Sequence, residues 1–113
     1  MSSTTTSDPV PGNAIVHVLY PTHIPGTSTP NPFNMDYYLA THVPLVKAKW
    51  SPVGLKSASV ATLDPSTGYA VECVMVWESA EAFAAVGRDA EIMGDVKNFS
   101  EAAPTPWIGK VVG

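Results

Sequence analysis

Cysteine is nearly absent: Cys73 stands alone among 113 residues, which excludes an intramolecular disulfide and any CxxC zinc or redox motif and fits a chain kept in a reducing compartment. Charge is scarce as well. Asp, Glu, Lys and Arg make up 14% of the chain, against about a quarter in ordinary domains, so the exposed surface is expected to be unusually apolar and prone to self-association. Six Lys and Arg stand against ten Asp and Glu, a net charge of -4, and no basic stripe is present to neutralise phosphates, so no nucleic acid is expected as a partner. No run approaches the roughly eighteen apolar residues that span a bilayer. The opening MSSTTTSDPVPG has neither the basic nor the apolar region of a signal peptide. No membrane association is expected, and the cytoplasm is the default location. Neither GxGxxG nor GxxxxGK[ST] occurs, so no nucleotide cofactor held by a Gly-rich loop is expected, and no Ser lies in a GxSxG elbow. His17, His23 and His42 miss the spacing of a helical zinc site, and no HExxH supplements them, so no metal is expected either.

What the chain does have is 45% hydrophobic residues, enough for one core in one domain. Residues 1–13, rich in Ser, Thr and Pro, have little to bury and are expected to form a disordered or loosely packed leader, with the domain at 14–113. AIVHVLY (Ala14 to Tyr20) is a β-branched and aromatic strand stopped by Pro21. The Pro-rich stretch to Asn34 is a long loop. Asn34 caps a helix whose Leu39, Val43, Val46 and Trp50 form an apolar stripe, and Pro44 is expected to kink or break it just after His42. LKSASVATL (Leu55 to Leu63) and YAVECVMVW (Tyr69 to Trp77) flank a turn and should form a hairpin. The second of these strands turns Val71, Cys73, Met75 and Trp77 to one side and Glu72 to the other. Ser79 caps a further helix ending near Gly87, Asp89 begins another, and PWIGKVV (Pro106 to Val112) closes the sheet.

The order β-α-β-β-α-β specifies an α+β, ferredoxin-like fold: a four-stranded antiparallel sheet with its helices on one face. The other face is left bare although its strands are apolar on both sides. An identical sheet from a second subunit is the expected cover, giving a homodimer.

Three segments carry a resemblance to a known family: FNMDYYLATHVPLV (Phe33 to Val46), VWESAEAF (Val76 to Phe83) and GDVKNFS (Gly94 to Ser100). The first has an aromatic residue, an acid, a tyrosine and His-x-Pro-Leu, here Phe33, Asp36, Tyr38, His42, Pro44 and Leu45. On these residues the chain resembles the EthD family of dimeric α+β barrel proteins over nearly the whole domain. The resemblance implies a homodimer with a pocket between helices and sheet in each subunit, and an association with small-ring catabolism or polyketide tailoring.

His42 is the leading candidate for chemistry, because an imidazole can take and return a proton near neutral pH. It projects from the border of the apolar stripe, and Tyr38, one turn earlier, is placed to hydrogen-bond it or a ligand carbonyl. A helix histidine satisfied by a carbonyl at the kink is the plainer alternative. Trp50, Trp77, Phe83 and Phe99 are candidate ligand contacts for a small hydrophobic or aromatic compound, or simply core. His17 and Glu72 are further candidate ligand contacts whose alternative is a structural or interface role. His23 is expected to be solvated. Two readings follow. One is a cofactor-free lyase or isomerase that dehydrates, decarboxylates or rearranges a small lactone, phenol or polyketide ring, with His42 as proton shuttle. The other is a non-catalytic binding or accessory protein supporting an oxygenase.

Overall fold

A computed structural model describes residues 8–113. Four strands, β1 (Ala14–Pro21), β2 (Leu55–Thr62), β3 (Tyr69–Trp77) and β4 (Thr105–Lys110), form one sheet in the order β2-β3-β1-β4. Every neighbouring pair is antiparallel, with Val16 opposite Met75 on one side and Ile108 on the other. The closing strand starts and stops earlier than its hydrophobic run, since Val111 lies beyond it and pairs its backbone with Asn13. Among the described residues no helix is long and apolar enough to cross a membrane.

The helical layer covers one face. Its first part runs over residues 35–50 without interruption, as α1 (Met35–Tyr37), a π-helical segment (Tyr38–His42) and α2 (Val43–Trp50). Asn34 caps it, its side-chain oxygen accepting from the Tyr37 N–H at 3.0 Å. The break expected after His42 does not occur. Pro44 has no N–H to offer the Ala40 carbonyl and its ring crowds that group, and the turn just before it widens instead, with the Val43 N–H bonding to the Tyr38 oxygen five residues back. The extra residue shifts the inward face. Counting back from Val43, it is Tyr38 that turns to the core, while Leu39, expected in the stripe, is 49% exposed.

The remaining helices are short: α3 (Ala80–Val86), capped by Ser79, and α4 (Ala90–Asp95), capped by Asp89. Lys49 at the end of α2 bonds Asp89 at 2.9 Å and Glu91 at 2.8 Å, tying the two helical regions together. Between α2 and β2 the chain passes Gly54, whose φ of 122° and whose approach to Ala82, 2.9 Å from where a Cβ would stand, leave no room for a side chain.

The core lies between these layers. Ala14, Val16, Val71, Met75 and Trp77 from the sheet meet Val43, Val46, Trp50 and Ile92 from the helices. Trp77 is fully buried, with ring centroids 5.4 Å from Trp50 and 5.3 Å from Phe83. The opposite sheet face carries Ile15, His17, Leu19, Glu72, Val74, Val76 and Trp107, placed there by strand alternation and register. A bulge at Ala70 sets Tyr69 opposite Pro21 on this same face, where its ring meets Trp107 at 5.9 Å. No chain element of the helical layer covers it.

Two of the expected loose regions are anchored. In the Pro-rich loop, Asn31 bonds the Pro21 carbonyl and Ser100, and its oxygen accepts from the Glu101 N–H. At the end of the leader, Gly12 donates to the Val111 carbonyl and the Asn13 side chain donates to that of Glu78. The expectation for residues 1–7 falls outside the described residues.

Candidate functional site

Between the π segment and the sheet lies a cavity of about 580 Å³. Its floor is built from Tyr20, Cys73 and Met75 on the strands and Tyr38, His42 and Trp50 on the first helix. All six are buried. Its rim is exposed and comes from Ala84, Arg88 and Met93 on the helical side and Pro106 and Ile108 on β4.

The widened turn has placed Tyr38 and His42 on one inward face, their rings stacked at 5.4 Å and 17°. Phe99 closes against both, 4.5 Å from the imidazole and 4.8 Å from the phenol ring. His42 is only 4% exposed, yet it is not satisfied by a backbone carbonyl at a kink. Its Nδ1 lies 2.9 Å from Asp95 Oδ2.

Asp95 is held by more than the histidine. Its Oδ1 accepts from the Tyr37 hydroxyl at 2.5 Å and from the Asn98 amide at 2.9 Å. Burial pushes its carboxyl upward, but the bonds from Tyr37, Asn98 and His42 together outweigh that and hold it below the ordinary carboxylate range. Ionised at neutral pH, Asp95 can only accept, so Nδ1 donates, and the tautomer this selects is the one whose lone pair stands on Nε2. That is the arrangement of an oriented proton acceptor. The carboxylate itself sits outside the main cavity and borders a shallow surface groove with Thr41, Pro44 and Asn98.

The other ionisable groups of the floor are kept neutral. Burial pushes the Tyr20 and Tyr38 hydroxyls well above their ordinary values and raises the Cys73 thiol as well. A thiol raised in this way is a poor nucleophile. Tyr38 and His42 meet by stacking of their rings, and the Tyr38 hydroxyl faces Tyr20 and Cys73, so of the two partners expected for it, His42 and a ligand carbonyl, the first is not the one it meets here.

Of the remaining candidates, Trp50 and Phe83 line the cavity. Trp77 packs beneath Trp50 in the core, and Phe99 lies behind His42. His17 and Glu72 do not reach the cavity at all. Strand alternation turns both to the opposite sheet face, where the His17 Nδ1 bonds the Glu72 carboxylate. His23 is exposed and bonds Thr22. Asp95, Tyr37, Asn98 and Arg88 were not singled out from sequence. GDVKNFS contains Asp95 and Asn98, but nothing in its spacing says which acid would meet His42, 53 positions away. Among the described residues no group of three or more His, Cys, Asp or Glu is placed to hold a metal.

The depressed Asp95 carboxyl has a consequence for acid stability. A carboxyl lower in the folded than in the unfolded chain contributes stability above its unfolded value, near 3.9, and loses it as the pH falls through the folded value. Urea midpoints of Asp95→Asn are therefore expected to fall less between pH 5 and pH 3 than those of the parent. Equal acid sensitivity of the two proteins would contradict the bonding described above.

No family model and no curated protein matches the chain. Solved structures do. An EthD-like protein from Ralstonia eutropha JMP134 is 29% identical, with a TM-score of 0.70 over 92% of this chain and 96% of that one. An ethyl tert-butyl ether D family protein from Bacillus halodurans C-125 shares the fold at 19% identity, with a TM-score of 0.57 over 88% and 98%. With the first matching nearly end to end, and with Phe33, Asp36, Tyr38, His42, Pro44 and Leu45 folded into the segment that walls the cavity, the chain is similar to an EthD-like protein over nearly its whole length.

Proposed function

We propose that the cavity binds a small hydrophobic ring compound and that the protein acts on it as a cofactor-free lyase or isomerase. The observation that carries this reading is a buried imidazole, bonded through Nδ1 to an ionised carboxylate, in the floor of a largely apolar cavity that no carboxylate lines among the described residues. Oriented in this way, Nε2 takes a proton from the ring compound and returns it at a neighbouring atom, as dehydration, decarboxylation or lactone rearrangement requires. Tyr38, stacked on His42, orients the substrate's oxygen, its single hydroxyl proton turning to it from Tyr20 and Cys73 when a ligand enters.

In the same reading the open sheet face is covered by a second copy, forming a homodimer, and the chain works in the cytoplasm. Trp107 is 56% exposed on that face with its ring against Tyr69, and Ile15, Val74 and Val76 lie on the same face across β1 and β3, apolar surface that a protein poor in charge has little means of solvating.

The apolar lining also suits a protein that holds such a compound for an oxygenase without changing it. The two separate cleanly. The purified protein alone is incubated with small lactones, phenols and cyclic polyketides, and both the solution and the protein-bound fraction are analysed by native mass spectrometry and NMR. Loss of water or carbon dioxide, or isomerisation of a bound compound, is expected. If every compound that binds is released unchanged, the catalytic reading is wrong and the carrier reading replaces it.

A further inference from the structure

The cavity rim carries a charge that the proton chemistry does not use. Arg88 stands in the short link between α3 and α4, and its backbone is fixed on both sides: the Gly87 N–H bonds Phe83 at 2.7 Å and the Asp89 N–H bonds Val86 at 2.9 Å. It is exposed and stands among the residues that line the cavity. It has no ion-pair partner among the described residues, because the two carboxylates beside it in sequence, Asp89 and Glu91, are both taken by Lys49.

Among the described residues no Asp or Glu lines the cavity, and Arg88 is the one permanently charged residue that does. The floor hydroxyls and thiol are neutral through burial. A net charge of -4 repels anions from the molecule as a whole, so any preference for an anionic ligand has to come from a local cation.

We propose that Arg88 makes the cavity selective for ring carboxylates, the guanidinium at the rim pairing with the ligand's carboxylate while the ring lies against the aromatic floor. This rests on the reading that the cavity binds a ring compound and adds the class of compound. Arginine suits the task because its planar fork presents two parallel N–H donors to a carboxylate. It also sets orientation. A ring held by its carboxylate at the rim points its far edge towards His42 in the floor.

The test uses two probes of one shape, 2-naphthoate and 2-naphthamide, titrated by calorimetry against the parent, Arg88→Gln and Arg88→Lys. One charge-assisted pair at a partly exposed position is expected to give the parent about a tenfold preference for the carboxylate. Arg88→Gln should reduce that preference to about twofold or less and leave naphthamide binding where it was. Arg88→Lys should keep part of it, since the charge remains and the fork is lost. A parent that binds naphthamide as tightly as naphthoate, or an Arg88→Gln protein that keeps the preference, overturns the proposal while ring binding stands. If neither probe binds the parent, ring binding falls and the proposal falls with it.

Discussion

Replacing His42 by alanine is expected to lower kcat by about 10²- to 10⁴-fold on any compound the parent converts, the range a positioned proton-transfer group supplies. The size follows from the surroundings. Among the described residues the imidazole is the only cavity group poised to accept a proton: burial raises the Tyr20 and Tyr38 hydroxyls and the Cys73 thiol, and no carboxylate lines the ligand space. Asp95→Asn should also lower kcat, with KM little changed, because Asp95 orients His42 from outside the cavity and touches no bound ring. Circular dichroism and urea unfolding establish that each variant is folded before rates are compared. A folded His42→Ala protein that turns over substrate as fast as the parent would remove the histidine from the mechanism.

The second large effect concerns association. Light scattering of the parent at micromolar concentration is expected to give twice the 11.9 kDa chain mass, and Trp107→Glu is expected to give the single-chain mass. A buried Trp at an interface is worth about 2 kcal/mol or more, and two-fold symmetry counts it twice, so the dimer Kd should rise by at least about a thousandfold. Trp107 is half-exposed and packs only against Tyr69 among the aromatic rings, so its replacement leaves the core of the single chain intact. An 11.9 kDa species from the parent itself would refute the covered sheet.

Much of the architecture was legible because it depends on local alternation. In β3, Val71, Cys73, Met75 and Trp77 face the core and Glu72 faces away, as a period of two dictates. Ser79 and Asp89 announced two helix starts through side chains that reach the first free N–H groups. The first helix was harder. Leu39 had the right spacing for an α-helical stripe, and only the π segment, forced by Pro44 and accommodated by packing against Phe99, turned Tyr38 inward in its place.

The histidine was visible and its partner was not. His42 stood out by residue type and by the motif around it, whereas Asp95, Tyr37 and Asn98 are polar residues of an ordinary kind, and Arg88 is an ordinary basic one. His17 and Glu72 looked like pocket residues because a charge in an apolar strand calls for a partner, and they are each other's partner on the opposite face. Sequence alone determined the element order, the two faces of each strand, the helix caps and the histidine, all of which depend on neighbours a few positions away. Tertiary structure decided that Asp95 meets His42, that Tyr38 walls the cavity, and that Arg88 stands at its rim. These depend on where the helices land on the sheet, which is set by the packing of the whole core rather than by any local run of residues.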